Sequence, residues 1–428
     1  MAASRRRPRL DEPAVLRVRV TLEHSDPPIV RVLDLRSDLR LDQVHEVLQV
    51  AFGWADSHLH RFALGESVFD DTSEKFLCSF DVEEQDDGVP ETTVHLDETL
   101  SRPGDVLRYC YDYGDDWSLD LVLEDVQALD RVSVSARCVA AERAAPPEDC
   151  GSRRTAEELA GVLADPAHVD VHDINEVLGS PLARLVTGPF TPDLVAALLP
   201  LTGSLPDRIV PGLLAQLDEP APLDRAEKER ALSTIRWFLE RIGADGLAMT
   251  AAGWLRPEDV VAASEMVPDG PDWIGKKNRE IDTVPVHQFR LMLADLGLTR
   301  KYEGRLRLSK SGAAAYDDPD RLWRLLAGAL PPGKTRTFAR QAGLLVLAQI
   351  AATGVSDTDA VARALTNLGW RTSDGRRVDG FQAYDATRAV HAALASLDPS
   401  RHRRMRRPED SFGPAGRQLA FEALLDLH

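Results

Sequence analysis

Four cysteines occur in 428 residues, Cys78, Cys110, Cys138 and Cys150, and no two of them form a CxxC pair. So few, so widely spaced, exclude a disulfide-stapled scaffold and point to free thiols in a reducing compartment. The same spacing speaks against a cysteine zinc cluster built on Cys138 and Cys150. No apolar run approaches the roughly 20 residues that a membrane helix needs, so no membrane partner is expected. The basic start, Met1 to Arg9, leads into no apolar stretch; it reads as a frayed tail rather than a secretory signal, and a cytoplasmic location follows as the expectation. A Gly-rich phosphate loop, a serine elbow and a zinc-protease helix motif are also missing, so no motif declares a reaction.

Basic charge is scarce, but unevenly. Met1 to Pro200 carries 19 Lys and Arg against 39 Asp and Glu, whereas Leu201 to His428 carries 32 against 30. An acidic first half repels a phosphate backbone, while the second half has charge to spare for a basic face. At 43% hydrophobic and 28% charged residues the chain is of folded composition, and its length calls for two or three domains.

Leu16, Val18, Val20 and Leu22 alternate with polar neighbours and predict a half-buried strand, and Ile29 to Leu35 predicts a second. Leu41, Val44, Val47, Leu48, Ala51 and Phe52 recur at helical spacing before Gly53. His58 to Leu64, Leu107 to Tyr111, Trp117 to Leu123 and Val132 to Cys138 read as further strands, and the acidic stretch Asp81 to Glu98 as a solvated loop. The first fold class is therefore α+β, with a mixed, largely antiparallel sheet over residues 1–200. Five prolines from Pro200 to Pro222 mark 201–224 as a linker. Residues 225–428 read as mainly α. Near 281–330 a helix, a hairpin turning at Glu303-Gly304 and a second helix give a winged-helix-like unit.

Several blocks stand in a family's order: Pro27-Pro28-Ile29-Val30-Arg31, His45-Glu46-Val47-Leu48-Gln49 through Gly53-Trp54, Ser57-His58-Leu59-His60-Arg61-Phe62, Tyr111-Asp112-Tyr113-Gly114-Asp115-Asp116-Trp117, Pro146-Pro147-Glu148-Asp149-Cys150-Gly151 and Asp165-Pro166-Ala167-His168. Over residues 15–199 the chain resembles the Ri-plasmid ORF-three-like family of pRiA type. The resemblance implies a protein of plasmid or mobile-element origin and names no chemistry. Leu119 and Ala145 stand where the family often has His and Cys.

His58 and His60, two apart on an expected strand, would share one face. With carboxylates from Asp112, Asp115, Asp116, Glu148 or Asp149, beside Trp117, they form a candidate pocket for a divalent metal or ligand. The competing reading gives the aspartates to the hairpin turn and the histidines to the sheet edge. Trp54, Phe62, Tyr109, Tyr111, Tyr113 and Trp117 gather near the same turn as a core and its rim. In the second half, Arg300, Lys301, Arg305, Arg307 and Lys310 make the hairpin basic, and His287, Gln288 and Arg290 lie on the helix before it. Those residues form a candidate DNA or RNA surface, with docking to a protein partner as the alternative. Arg401, Arg403, Arg404, Arg406 and Arg407 make a second basic cluster. Three functions stay open: a nucleic-acid-associated accessory protein, a metal-dependent hydrolase centred on His58, His60 and the Asp112–Asp116 turn, and a scaffold without catalysis.

Overall fold

Alternation of apolar and polar residues makes β1 (Ala14–Leu22) half-buried along its whole length, and it pairs antiparallel with β2 (Val30–Arg36). Between β2 and the next strand lies α1 (Leu41–Phe52). There follow β3 (His60–Leu64), β4 (Glu74–Leu77), β5 (Val89–Pro90), β6 (Val106–Tyr111), β7 (Trp117–Ala128) and β8 (Ala136–Glu142). One eight-stranded sheet results, in the order β5-β4-β3-β6-β7-β1-β2-β8. Only the β4–β5 pair is parallel, so the sheet is mixed and largely antiparallel. This computed structural model describes residues 4–129, 135–201, 206–333, 337–398 and 410–426. The basic cluster from Arg401 to Arg407 lies outside the described residues.

One face of the sheet carries the core. Leu16, Val18, Val20, Leu107, Leu119 and Leu121 of the strands meet Val44, Val47, Leu48 and Ala51 of α1. Burying each of these Leu and Val side chains contributes about 1.5–3 kcal/mol. Gly53 ends α1 in the left-handed conformation (φ 73°) and turns the chain so that Trp54 stacks on Tyr111 at 5.0 Å. The opposite face is lined by ion pairs such as Arg17–Asp34 and Arg19–Glu124.

Three expectations need correction. The stretch Asp81 to Glu98 is a solvated loop only in part, over residues 82–87: Asp81 and Glu91 are buried, and they bond to Arg61 and His60 of β3. The start of the chain is not frayed from Ser4 onward, because Arg6 pairs with Glu74 and Arg7 with Asp105. The proline-marked stretch carries a helix, Pro206–Asp218, whose Ile209, Val210, Leu213 and Leu214 are buried.

The chain divides into compact units at 189/190, with Phe190–His428 as the second. That unit is mainly helical. Its centre runs α2 (Ser233–Ile242), β9 (Leu247–Ala248), α3 (Pro257–Ser264), α4 (Val284–Asp295), β10 (Thr299–Tyr302) and β11 (Arg305–Leu308). The three strands form a small sheet in the order β10-β11-β9. Glu303 and Gly304 both take positive φ in the tight hairpin turn (48° and 70°), as a two-residue loop requires. Later come α5 (Phe338–Thr353), buried along most of its length, and α6 (Arg388–Ala395), which packs against α4.

Candidate metal centre

On α1, three polar residues are as buried as the apolar stripe: Gln43, His45 and Gln49. Gln43 is spent on the carbonyls of Val186 and Gly188. His45 and Gln49, four apart on one helix face, both reach the hydroxyl of Tyr109 on β6, at 2.8 and 3.2 Å. Gln49 can only donate there, so the Tyr109 hydroxyl donates to His45 Nδ1 and the imidazole proton stands on Nε2. That nitrogen faces Asp56 Oδ1 at 3.0 Å, and the Asp56 backbone N–H returns to Gln49 Oε1 at 2.9 Å. The four side chains close a ring. Burial holds the Tyr109 hydroxyl well above its usual pKa, so it remains a donor.

His60, the first residue of β3, stacks on His45 with ring centroids 3.5 Å apart and planes 9° from parallel. Its Nε2 meets both oxygens of Glu91, at 3.0 and 2.9 Å. His45, His60 and Glu91 are buried, whereas the Asp56 side chain is half-exposed and opens the cluster to solvent. Ligand atoms of His45, Asp56 and His60 lie within 4.8 Å of one another. Burial pushes the His45 imidazole below its ordinary pKa despite the bond to Asp56, with His60 adding to the fall. It is therefore neutral, as a metal ligand must be. Burial raises Asp56, but the hydrogen bond from His45 brings it below the usual range. The neighbouring carboxyl of Glu46 moves the other way, up, through burial and the charges of Asp56 and Asp42.

The residues expected from sequence are only partly brought together. His58 precedes β3, so the strand alternation that was to align it with His60 does not apply. Its Nε2 faces Asp149 Oδ1 at 3.1 Å and Asp112 Oδ2 at 3.6 Å, a donor group separate from that of His60. Asp112 Oδ1 is used within the turn by the N–H groups of Gly114 and Asp115. Asp115 accepts from the Gly151 N–H and Asp116 from the Ser118 hydroxyl, so both serve the loop structure. Glu148 accepts from Tyr111, from the Ala55 N–H and from Ser57. Trp117 is fully buried beneath the Arg154 guanidinium. His45, Asp56 and Glu91 were missed, although a histidine and a glutamine four apart in an apolar helix signal a buried polar partner.

The family match falls in the first part of the chain. Residues 14–196 match the family described as plasmid pRiA4b ORF-3-like protein. An uncharacterized protein of Sinorhizobium fredii, y4hQ, is 32% identical over 158 residues, 36% of this chain and 76% of that protein. The chain belongs to the pRiA4b ORF-3-like family. A protein of unknown function from Methanosarcina mazei, MM3350, matches 38% of this chain and 96% of its own at 25% identity and a TM-score of 0.32. Every donor of both histidine groups falls inside the family match. No described helix is long and apolar enough to cross a membrane.

In the helical unit the expected base readers are otherwise engaged. Arg290 is buried, and its Nε binds Glu280 at 2.5 Å; His287 shares that carboxylate at 3.0 Å. Gln288 is half-buried. On the hairpin, Lys301 donates to the Gly253 carbonyl and Arg305 to those of Asp245 and Gly246. Arg300 and Arg307 both lie over the Tyr302 ring, at 5.2 and 5.9 Å, and Lys310 is exposed at the start of the next helix.

Proposed function

We propose that the family domain binds a divalent transition metal through His45 Nε2, His60 Nε2, Asp56 and Glu91. The observation that carries this reading is the stacked imidazole pair, each Nε2 turned to its own carboxylate inside a largely buried cluster. Burying such groups is costly unless they are paired or coordinate a metal. Ligand atoms bound at about 2.0–2.2 Å lie about 3 Å apart along a coordination edge, the separation already present between His45 and Asp56 and between His60 and Glu91. A cation would displace the two bridging protons, each imidazole then carrying its one proton on Nδ1. The rings would tilt out of their stack to aim both Nε2 lone pairs at the ion, and Glu91 would move in to join the group already formed by His45, Asp56 and His60. Tyr109 on the second nitrogen of His45 supplies the outer bond that orients a metal-ligating imidazole. Two imidazoles with two carboxylates suit zinc, manganese or iron.

The exposed side at Asp56 is where water and substrate would enter, and the reaction class such a centre serves is metal-assisted hydrolysis. The purified full-length protein should hold one equivalent of Zn²⁺ or Mn²⁺ more than His60→Asn does, measured by plasma mass spectrometry after gel filtration. Equal uptake by wild type and His60→Asn would overturn the proposal.

A second reading concerns the helical unit. Helix, strand, two helices and a hairpin, with β9 paired to the second hairpin strand, is the order of a winged helix. With His287 and Arg290 held by Glu280 and α4 packed on α6, the wing residues Arg300 and Arg307, with Lys310 at the start of the next helix, are what can meet a phosphate backbone. Contact would be independent of sequence. Reversing Arg300 and Arg307 to Glu should weaken binding to all duplexes alike, and wild-type affinity should fall with salt at a log–log slope of about −0.9 per phosphate. Binding that the double reversal leaves unchanged would count against it.

A further inference from the structure

We infer that His58, Asp112 and Asp149 form a second divalent-cation site, open to solvent and separate from the buried cluster. Their ligand atoms lie within 4.8 Å of one another. His58 Nε2 is shielded from solvent and has no hydrogen-bond partner among the described residues. Yet carboxylate oxygens stand 3.1 and 3.6 Å from it, in Asp149 and Asp112. An imidazole nitrogen aimed at two carboxylates without bonding to either matches three ligands around an ion better than a salt bridge.

The ligand positions are prearranged from outside. Tyr111 accepts the backbone N–H groups of Ser57 and His58 at 2.8 and 3.3 Å, and its hydroxyl donates to Glu148. Glu148 in turn binds Ala55 N–H and the Ser57 hydroxyl, at 3.0 and 3.1 Å. Tyr111 and Glu148 thus stitch the segment bearing His58 to the loop bearing Asp149. Asp112 keeps Oδ1 for the turn and leaves Oδ2 toward His58. One imidazole and two carboxylates suit a borderline ion such as Zn²⁺ or Mn²⁺. The Asp149 side chain is 79% exposed, so water completes the coordination, as in sites with three protein ligands.

The test titrates metal-free, full-length protein with Zn²⁺ by calorimetry, and with Mn²⁺ by electron paramagnetic resonance. Wild type should bind two equivalents, Asp149→Asn one and His60→Asn one. Because Asp149 is exposed, Asp149→Asn should melt like the wild type when metal-free. Loss of one equivalent in Asp149→Asn supports the site, even if His60→Asn changes nothing and the buried-site proposal fails. Full retention by Asp149→Asn overturns it. So does a wild type binding a single equivalent that only His60→Asn removes, a result that leaves the buried-site proposal standing.

Discussion

Two buried charge knots, one in each unit, solve the same problem with different stoichiometry. In the helical unit one fully buried carboxylate, Glu280, serves the Arg290 guanidinium, the His287 imidazole and the Leu255 N–H. A permanent cation fills the centre, so the knot is complete as it stands. In the family domain two imidazoles face two carboxylates and no guanidinium or ammonium is among them. There the centre is held by protons alone, and protons exchange for metal ions. The difference teaches that a buried ionic cluster is a candidate site when its positive charge is titratable, and a structural brace when it is not.

The largest effect should separate the two knots by stability. Glu280→Gln leaves Arg290 charged and buried without a counter-ion, which costs about 3–5 kcal/mol. Chemical denaturation should report that loss in the helical unit while metal uptake stays intact. Glu91→Gln should do the reverse: a loss of about 1–3 kcal/mol in the metal-free protein, with uptake by the buried centre abolished. Equal loss of metal in both variants would erase the distinction.

A smaller effect is expected from pH. An unperturbed imidazole takes its proton near pH 6.5, and His45 does so only at lower pH because it is buried. Between those values the unfolded chain holds more protons than the native one, so stability rises with pH across that window. His45 therefore contributes stability that is fully present above about pH 6.5 and is lost as pH falls toward its native value. Metal affinity of the folded protein should hold across that interval and decline only as pH falls below the native His45 value, since the ligands must be neutral. His45→Gln should flatten the pH dependence of the melting temperature; an unchanged slope would mean the imidazole titrates normally.

Much of the architecture was readable from periodicity. Alternation in Leu16 to Leu22, the apolar stripe of Leu41 to Phe52 and the Glu303-Gly304 turn each reflect local chemistry that tertiary packing left alone. The site was only half legible. His60 was singled out with His58 because strand alternation aligns residues two apart, but β3 begins at His60 and the pairing fails. Glu91 was assigned to a solvated stretch because its neighbours are acidic, although it bonds to a residue 31 positions away. Asp56 belongs to no periodic element, and a left-handed backbone (φ 54°) aims it at His45. Likewise Arg290 looked like a free basic residue until Glu280, ten residues earlier, proved to hold it. Long-range pairing of charge does not appear in local patterns.

The most direct test of the central claim is a crystal structure of the protein soaked in Zn²⁺, with anomalous data collected at the zinc edge. The account predicts an anomalous peak about 2 Å from His45 Nε2, His60 Nε2, Asp56 and Glu91, with the imidazoles tilted out of their stack toward it. Unbroken His45–Asp56 and His60–Glu91 hydrogen bonds with no peak between them would contradict it.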